Sequence, residues 1–163
     1  MFRAMRRPGQ QLPQDECVAI LERATSGVLA LSGDNDYPYA LPISYVYHEN
    51  FIYIHGATEG HKLDAVRRNP KASFCVIAQD EVVPERHTTR YRSVIAFGTV
   101  EVLEEGEKKR LAMEQIAKKY SPELDLTEHI VQDGPHCYVL ALQIEHLTGK
   151  ESRELMQERK AKK

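Results

Sequence analysis

The sequence predicts a mainly β domain: a largely antiparallel sheet that curls into a small Greek-key barrel, with a few helices around it. Three observations carry this reading. Short apolar segments of period two are separated by turn residues, notably Tyr39 to Tyr47 followed by Phe51 to His55. Helical patterns are too few for alternating β-α layers. A sheet of such strands removes its exposed edges most simply by closing on itself. The 163 residues suit one domain with its own core, spanning 1–163, with an N-terminal arm at 1–12 and a charged tail at 152–163.

Each element has a local signal. Residues 13–25 read as a helix: Pro13 suits a first turn, Asp15 and Glu16 favour its positive end, and Cys17, Ile20, Leu21 and Ala24 form one stripe. Val28 to Leu31 is a strand, and Asp34-Asn35-Asp36 a turn. In Tyr39–Tyr47, large residues alternate with Ala40, Pro42 and Ser44, giving a strand with one bulky and one open face. Pro42 marks an edge or a bulge, because it cannot donate to a ladder. His48-Glu49-Asn50 turns the chain into Phe51–His55 as a hairpin.

Leu63 to Asn69 is a short helix that Thr58 can cap and Pro70 closes. Ala72–Ala78 is a strand, and the polar, proline-containing residues 79–89 read as a loop. Tyr91–Glu104 is a long strand with a bulge or bend at Gly98. Glu107–Tyr120 is an amphipathic helix with Met113, Ile116, Ala117 and Tyr120 on one face. Cys137–Leu147 is the last strand, and Lys150 to Lys163 a charged, fraying helix.

Composition excludes several function classes. With 22 Lys+Arg against 24 Asp+Glu the net charge is -2, so no basic footprint for nucleic acid exists. No stretch approaches the ~20 apolar residues of a membrane span. The charged N-terminal residues lack the apolar run of a signal peptide, and a cytoplasmic protein is expected. Cys17, Cys75 and Cys137 are odd in number and widely spaced, so they read as packed thiols. The seven histidines (48, 55, 61, 87, 129, 136 and 146) form no metal-binding spacing, and no metal is expected. Phosphate-loop, dinucleotide and hydrolase-elbow motifs are absent.

The segment that points to chemistry is residues 51–68, strand–Gly–turn–His-Lys–helix. Main-chain N–H groups at a helix start are unpaired and carry partial positive charge, which makes an anion site. Gly56 and Gly60 permit close backbone approach, Lys62 adds a full charge, and Arg67 and Arg68 follow. The segment reads either as a phosphate site or as a polar loop with a solvated lysine.

The chain resembles the flavin-binding split-barrel superfamily that includes the pyridoxamine 5′-phosphate oxidases, and within it the 5-nitroimidazole-resistance (Nim) proteins. The matching pieces are Met5-Arg6-Arg7, Leu41-Pro42-Ile43-Ser44-Tyr45, Ile52-Tyr53-Ile54-His55-Gly56-Ala57 and Gly60-His61-Lys62. Tyr91-Arg92-Ser93-Val94-Ile95-Ala96-Phe97-Gly98 and Leu147-Thr148-Gly149-Lys150-Glu151 complete the set, which runs over residues 1–152.

This resemblance implies a six-stranded antiparallel Greek-key split barrel of FMN-binding type, forming a homodimer with FMN at the interface. It implies that the backbone of Pro42, Ile43, Ser44 and Tyr45 lines the isoalloxazine ring, and that His55, Gly56, Gly60, His61 and Lys62 hold the phosphate. Ser93 and Val94 would flank the ring, and Lys150 would approach from the other subunit. The chain lacks the C-terminal Arg-Leu pattern of the pyridoxamine phosphate oxidases, so that substrate is not implied. Arg86, Arg90 and Arg92 form a local basic cluster, with two of them readable as solvated loop residues.

The implied activity is that of an FMN-dependent oxidoreductase reducing a small acceptor such as a nitroaromatic. His55 is the candidate proton donor, or only a hydrogen-bonding residue at a strand end. Tyr45 and Tyr47 wall the flavin or pack at the dimer interface. The alternatives are a non-catalytic flavin- or haem-binding sensor and a structural dimer without cofactor.

Overall fold

The computed structural model describes residues 1–125 and 136–161; His129 and the last two residues of the charged tail lie outside them. A 3₁₀ turn at Pro8–Gln10 leads into α1 (Gln14–Arg23), β1 (Ser26–Ser32), β2 (Pro38–Ser44), β3 (Val46–His48) and β4 (Phe51–Ala57). Then come α2 (His61–Arg68), β5 (Lys71–Val83), β6 (Thr88–Leu103), α3 (Glu107–Tyr120), β7 (Cys137–Glu151) and α4 (Arg153–Ala161). The strands form one sheet in the order β2-β1-β5-β6-β7-β4-β3, with every pairing antiparallel. No helix among the described residues is long and apolar enough to cross a membrane.

The mainly β, antiparallel expectation holds. Two parts of it need correction: the sheet has seven strands rather than six, and its hydrogen-bonded order is open. The cause lies at Tyr45. Tyr39–Tyr47 is not one strand but two, and Tyr45 alone carries the chain between the sheet's opposite edges. Its ring is buried in the core, edge-on to Phe74 at 4.7 Å, and its hydroxyl donates to the Leu21 carbonyl at 2.7 Å. Its main-chain N–H donates to the Tyr120 hydroxyl at 3.0 Å, which also lies 2.7 Å from its carbonyl. A ladder cannot run through a residue whose main chain is bonded to a helix side chain. The two edges therefore meet without pairing.

The inner face holds the main core. Leu29, Phe74, Val94, Ala96, Leu140 and Leu142 pack there against Cys17, Ile20 and Leu21 of α1 and Leu63 and Val66 of α2. On the outer face of β3, β4 and β7, α3 covers a second cluster of Val46, Tyr53, Val139 and Ala141 with Ala112 and Ile116. β7 is thus apolar on both sides.

The rest of the outer face is different. Register aligns Pro42, Val28, Cys75, Ile95 and Thr148 in one row, and Ala40, Ala30, Ser73, Phe97 and His146 in the next. None of these ten belongs to either core, and all are half-buried or exposed.

Local signals account for much of this. The β3–β4 hairpin turns at Glu49 and Asn50, with φ of 46° and 68°, the mirror-image turn that suits twisted strands. Residues 79–89 are a correction, since they extend β5 and β6 up to a short turn at Pro84–His87. A ladder uses main-chain groups, so polar side chains do not prevent it. The irregularity expected at Gly98 is present: Phe97 pairs with His146 and Gly98 with Ile144, leaving Glu145 of β7 as the extra residue. The expected Thr58 cap is not made; Gly60 occupies that position.

Burial, with Asp15 and Glu16 nearby, pushes the Cys17 thiol up to about 11. In native protein at pH 8, Cys17 should resist a thiol reagent, whereas the half-buried Cys137, which lies outside the outer-face rows, reacts. Counting reacted thiols before and after unfolding checks this.

Candidate functional site

β4 alternates Ile52 and Ile54 inward with Tyr53 and His55 outward, so Gly56 faces in. Gly56 stands opposite Tyr138 of β7. A Cβ at Gly56 would lie 3.0 Å from the Tyr138 hydroxyl and 3.1 Å from Lys62 Cε. The glycine thus leaves a cradle into which a phenol and a lysine stem converge. Gly60, with φ of 132°, turns the chain into α2 in a conformation that side-chain-bearing residues rarely adopt.

Lys62 is half-buried in the first turn of α2, with Nζ 5.9 Å from the Tyr138 ring centroid. It has no carboxylate partner among the described residues. Its cationic neighbours are paired, Arg67 to Glu104 at 2.7 Å and Arg68 to Asp34 at 2.9 Å. The His61 ring stacks on Tyr39 at 4.1 Å with Nε2 3.4 Å from Asp34, which leaves its main chain at the helix start. A cavity of about 310 Å³ opens beside this turn, lined by Thr58, Leu63, Arg67, Glu104, Cys137 and Tyr138.

A second cavity, of about 200 Å³, joins Ser44, Tyr45 and His55 to Ile116 and Tyr120 of α3. His55 is exposed here, and its ring makes no hydrogen bond among the described residues. Pro42 and Ser44 are exposed on the edge strand β2, whereas Ile43 and Tyr45 turn inward. The Tyr45 ring therefore neither walls this cleft from outside nor sits at a surface. Ile116 and Tyr120 were legible only as a helix face, because nothing local links them to His55.

Ser93, Val94 and Lys150 lie elsewhere. Ser93 faces Lys150 across β6–β7, and the Lys150 ammonium sits 5.4 Å from the Tyr91 ring centroid. The Val94 side chain is fully buried in the core, so only its main chain can border a ligand. His55 pairs with Val139, and Lys150 lies up to about 36 Å further along β7 at ~3.3 Å per residue. One chain thus joins Ser44 of β2 to His55 of β4 in one cavity and holds Lys150 far from His55, whereas the register sets Pro42 of β2 in one row with Ile95, next to Val94. In the basic cluster, Arg90 pairs with Glu81 and Glu158, and Arg92 with Glu151.

Comparison with known proteins agrees with the resemblance read from the sequence. The family model of pyridoxamine 5′-phosphate oxidase matches residues 13–151. The fold is similar to that of a candidate 5-nitroimidazole antibiotic resistance protein from Bacteroides thetaiotaomicron, at 21% identity and a TM-score of 0.75, covering 86% of each chain. A FAD-binding protein from Mesorhizobium loti is 26% identical with a TM-score of 0.63, covering 86% of this chain and 94% of that one. A FAD and heme binding protein from Mycobacterium smegmatis is 24% identical with a TM-score of 0.74, covering 88% and 74%. Among curated proteins, no relative matches by sequence.

Proposed function

Because the chain belongs to the pyridoxamine 5′-phosphate oxidase family, we propose that it is a homodimeric flavoprotein that holds FMN and reduces a small acceptor such as a nitroaromatic. The observation that carries this reading is Lys62. A half-buried ammonium without a carboxylate partner, at a helix start and against a glycine cradle, favours an anion of phosphate size. The Mesorhizobium loti protein, described as FAD-binding, supports a flavin as the carrier of that anion.

Lys62 and the first N–H groups of α2 bind the phosphate. The edge strand β2 offers main-chain groups that no further strand pairs, and around Ser44 these border the flavin ring. When bound, FMN supplies hydride or electron transfer. His55 stands beside Ser44, where its imidazole is placed to give or take a proton. Ile116 and Tyr120 of α3 form the other wall of that cleft. Ser93 of β6 and Lys150 of β7 stand far along the sheet from His55, and in this reading they serve the site of a second copy. The outer-face row from Pro42 to Thr148 is the surface through which two copies join, beside Phe97 and His146, on which Phe2 of the N-terminal arm packs.

Purified protein should be yellow and should release FMN on denaturation; a protein that stays colourless with added FMN overturns the proposal, and a Soret band points to haem instead. Reoxidation of the reduced protein by a nitroimidazole tests turnover. Replacing Lys62 by alanine should weaken FMN binding by about 2 kcal/mol, roughly thirtyfold, the worth of one charge-assisted bond. A fluorescence titration reads this, and unchanged affinity would place the phosphate elsewhere.

A further inference from the structure

Tyr138 is 2% exposed, and its hydroxyl has no hydrogen-bond partner among the described residues. Buried donors are nearly always satisfied, so an orphan at a ligand site asks for the group that satisfies it. The position of this one is informative. The Tyr138 hydroxyl and Lys62 Cε both lie within about 3 Å of one point, the place a Gly56 side chain would fill. Tyr138 is also one of the residues lining the cavity beside the start of α2. Glu104, the acid in that cavity wall, is neutralised by Arg67.

We propose that the Tyr138 hydroxyl donates a hydrogen bond to the phosphate held at the start of α2, and so favours phosphorylated flavin over riboflavin. This rests on the flavin reading of the same site. The chemistry is suitable: a phenol adds a neutral donor next to the Lys62 cation, and a phosphate oxygen accepts from both. Burial, with Tyr39 and Asp64 nearby, raises the Tyr138 hydroxyl above the usual phenol range, so it remains protonated as a donor. The residue is eighty-two positions from Gly56 in sequence, and only the β4–β7 pairing brings the two together.

The test is Tyr138→Phe, titrated with FMN and with riboflavin by flavin fluorescence. FMN should bind about tenfold more weakly than to the parent, riboflavin equally well. The melting temperature of the flavin-free variant should not fall, because the variant removes an unsatisfied buried group. FMN affinity within twofold of the parent, or equal losses for both flavins, overturns the proposal. If the parent takes up neither flavin, the flavin reading itself fails, and pyrophosphate decides the role of Tyr138. A smaller thermal stabilisation of Tyr138→Phe than of the parent supports that role. Equal stabilisation, or none in either protein, overturns it.

Discussion

Replacing Glu151 by alanine is expected to destabilise the fold by about 3 kcal/mol. The Glu151 carboxylate is fully buried at the end of β7. Arg159 of α4 directs both Nε and Nη2 onto Oε1 at 2.7 Å, and Arg92 of β6 reaches Oε2 at 3.2 Å. Its main-chain carbonyl accepts from Gln10 Nε2 at 3.1 Å, so the N-terminal arm, β6, β7 and α4 meet at one residue. Removing the acid leaves two guanidinium groups facing each other with no counter-charge. Arg92 is 30% exposed and can swing toward water, which holds the effect near the lower end of the range for broken buried pairs.

Urea unfolding of the variant reads the loss, and a difference under about 1 kcal/mol would show that the cluster contributes no more than a surface pair. Glu151 also bears on function. It follows Lys150, which stands opposite Ser93, so loosening this clamp frees the two residues proposed to reach the partner's site. FMN affinity should fall with stability in this variant, whereas Lys62→Ala should lower affinity alone.

The contrast between those two positions shows what the sequence can and cannot say. Lys62, Gly56 and Gly60 are legible because the feature is local: a strand end, two glycines and a helix start within a few residues. The β3–β4 hairpin and α3 are legible for the same reason. The break at Tyr45 is not, since Leu41, Ile43, Tyr45 and Tyr47 keep period two straight through it. What ends the strand is the Tyr120 hydroxyl, 75 residues away in the chain. Residues 79–89 escape because residue type reports burial, and a hairpin that projects past the core pairs through its main chain alone. Tyr138 escapes as well. In sequence it is one apolar-strand residue among several, and its hydroxyl stands out only once Gly56 and Lys62 are packed against it.

Gly98→Ala is expected to have the largest effect, above about 4 kcal/mol. A Cβ there would lie 1.9 Å from the Gln143 carbonyl oxygen and 2.9 Å from its carbonyl carbon. Both are main-chain atoms of β7, so no rotamer relieves the overlap. The strand cannot simply retreat, because the irregularity opposite Gly98 is pinned. Its extra residue, Glu145, accepts hydrogen bonds from Thr99 of β6 and from Lys71 of β5 at 2.9 Å. Those bonds, the Thr99 one foremost, hold the Glu145 carboxyl below the usual range. Relief therefore requires parting β6 from β7 at the centre of the sheet, on either side of which Val94 and Val100 are buried. A total stability of about 5–15 kcal/mol leaves little margin for such a loss. Gly9→Ala is the matching control, since a Cβ at Gly9 meets nothing within 4 Å and should leave stability unchanged. If Gly98→Ala unfolds within about 1 kcal/mol of the parent, β6 and β7 do not approach this closely in solution. The irregularity would then not fix the register that sets Ser93 against Lys150.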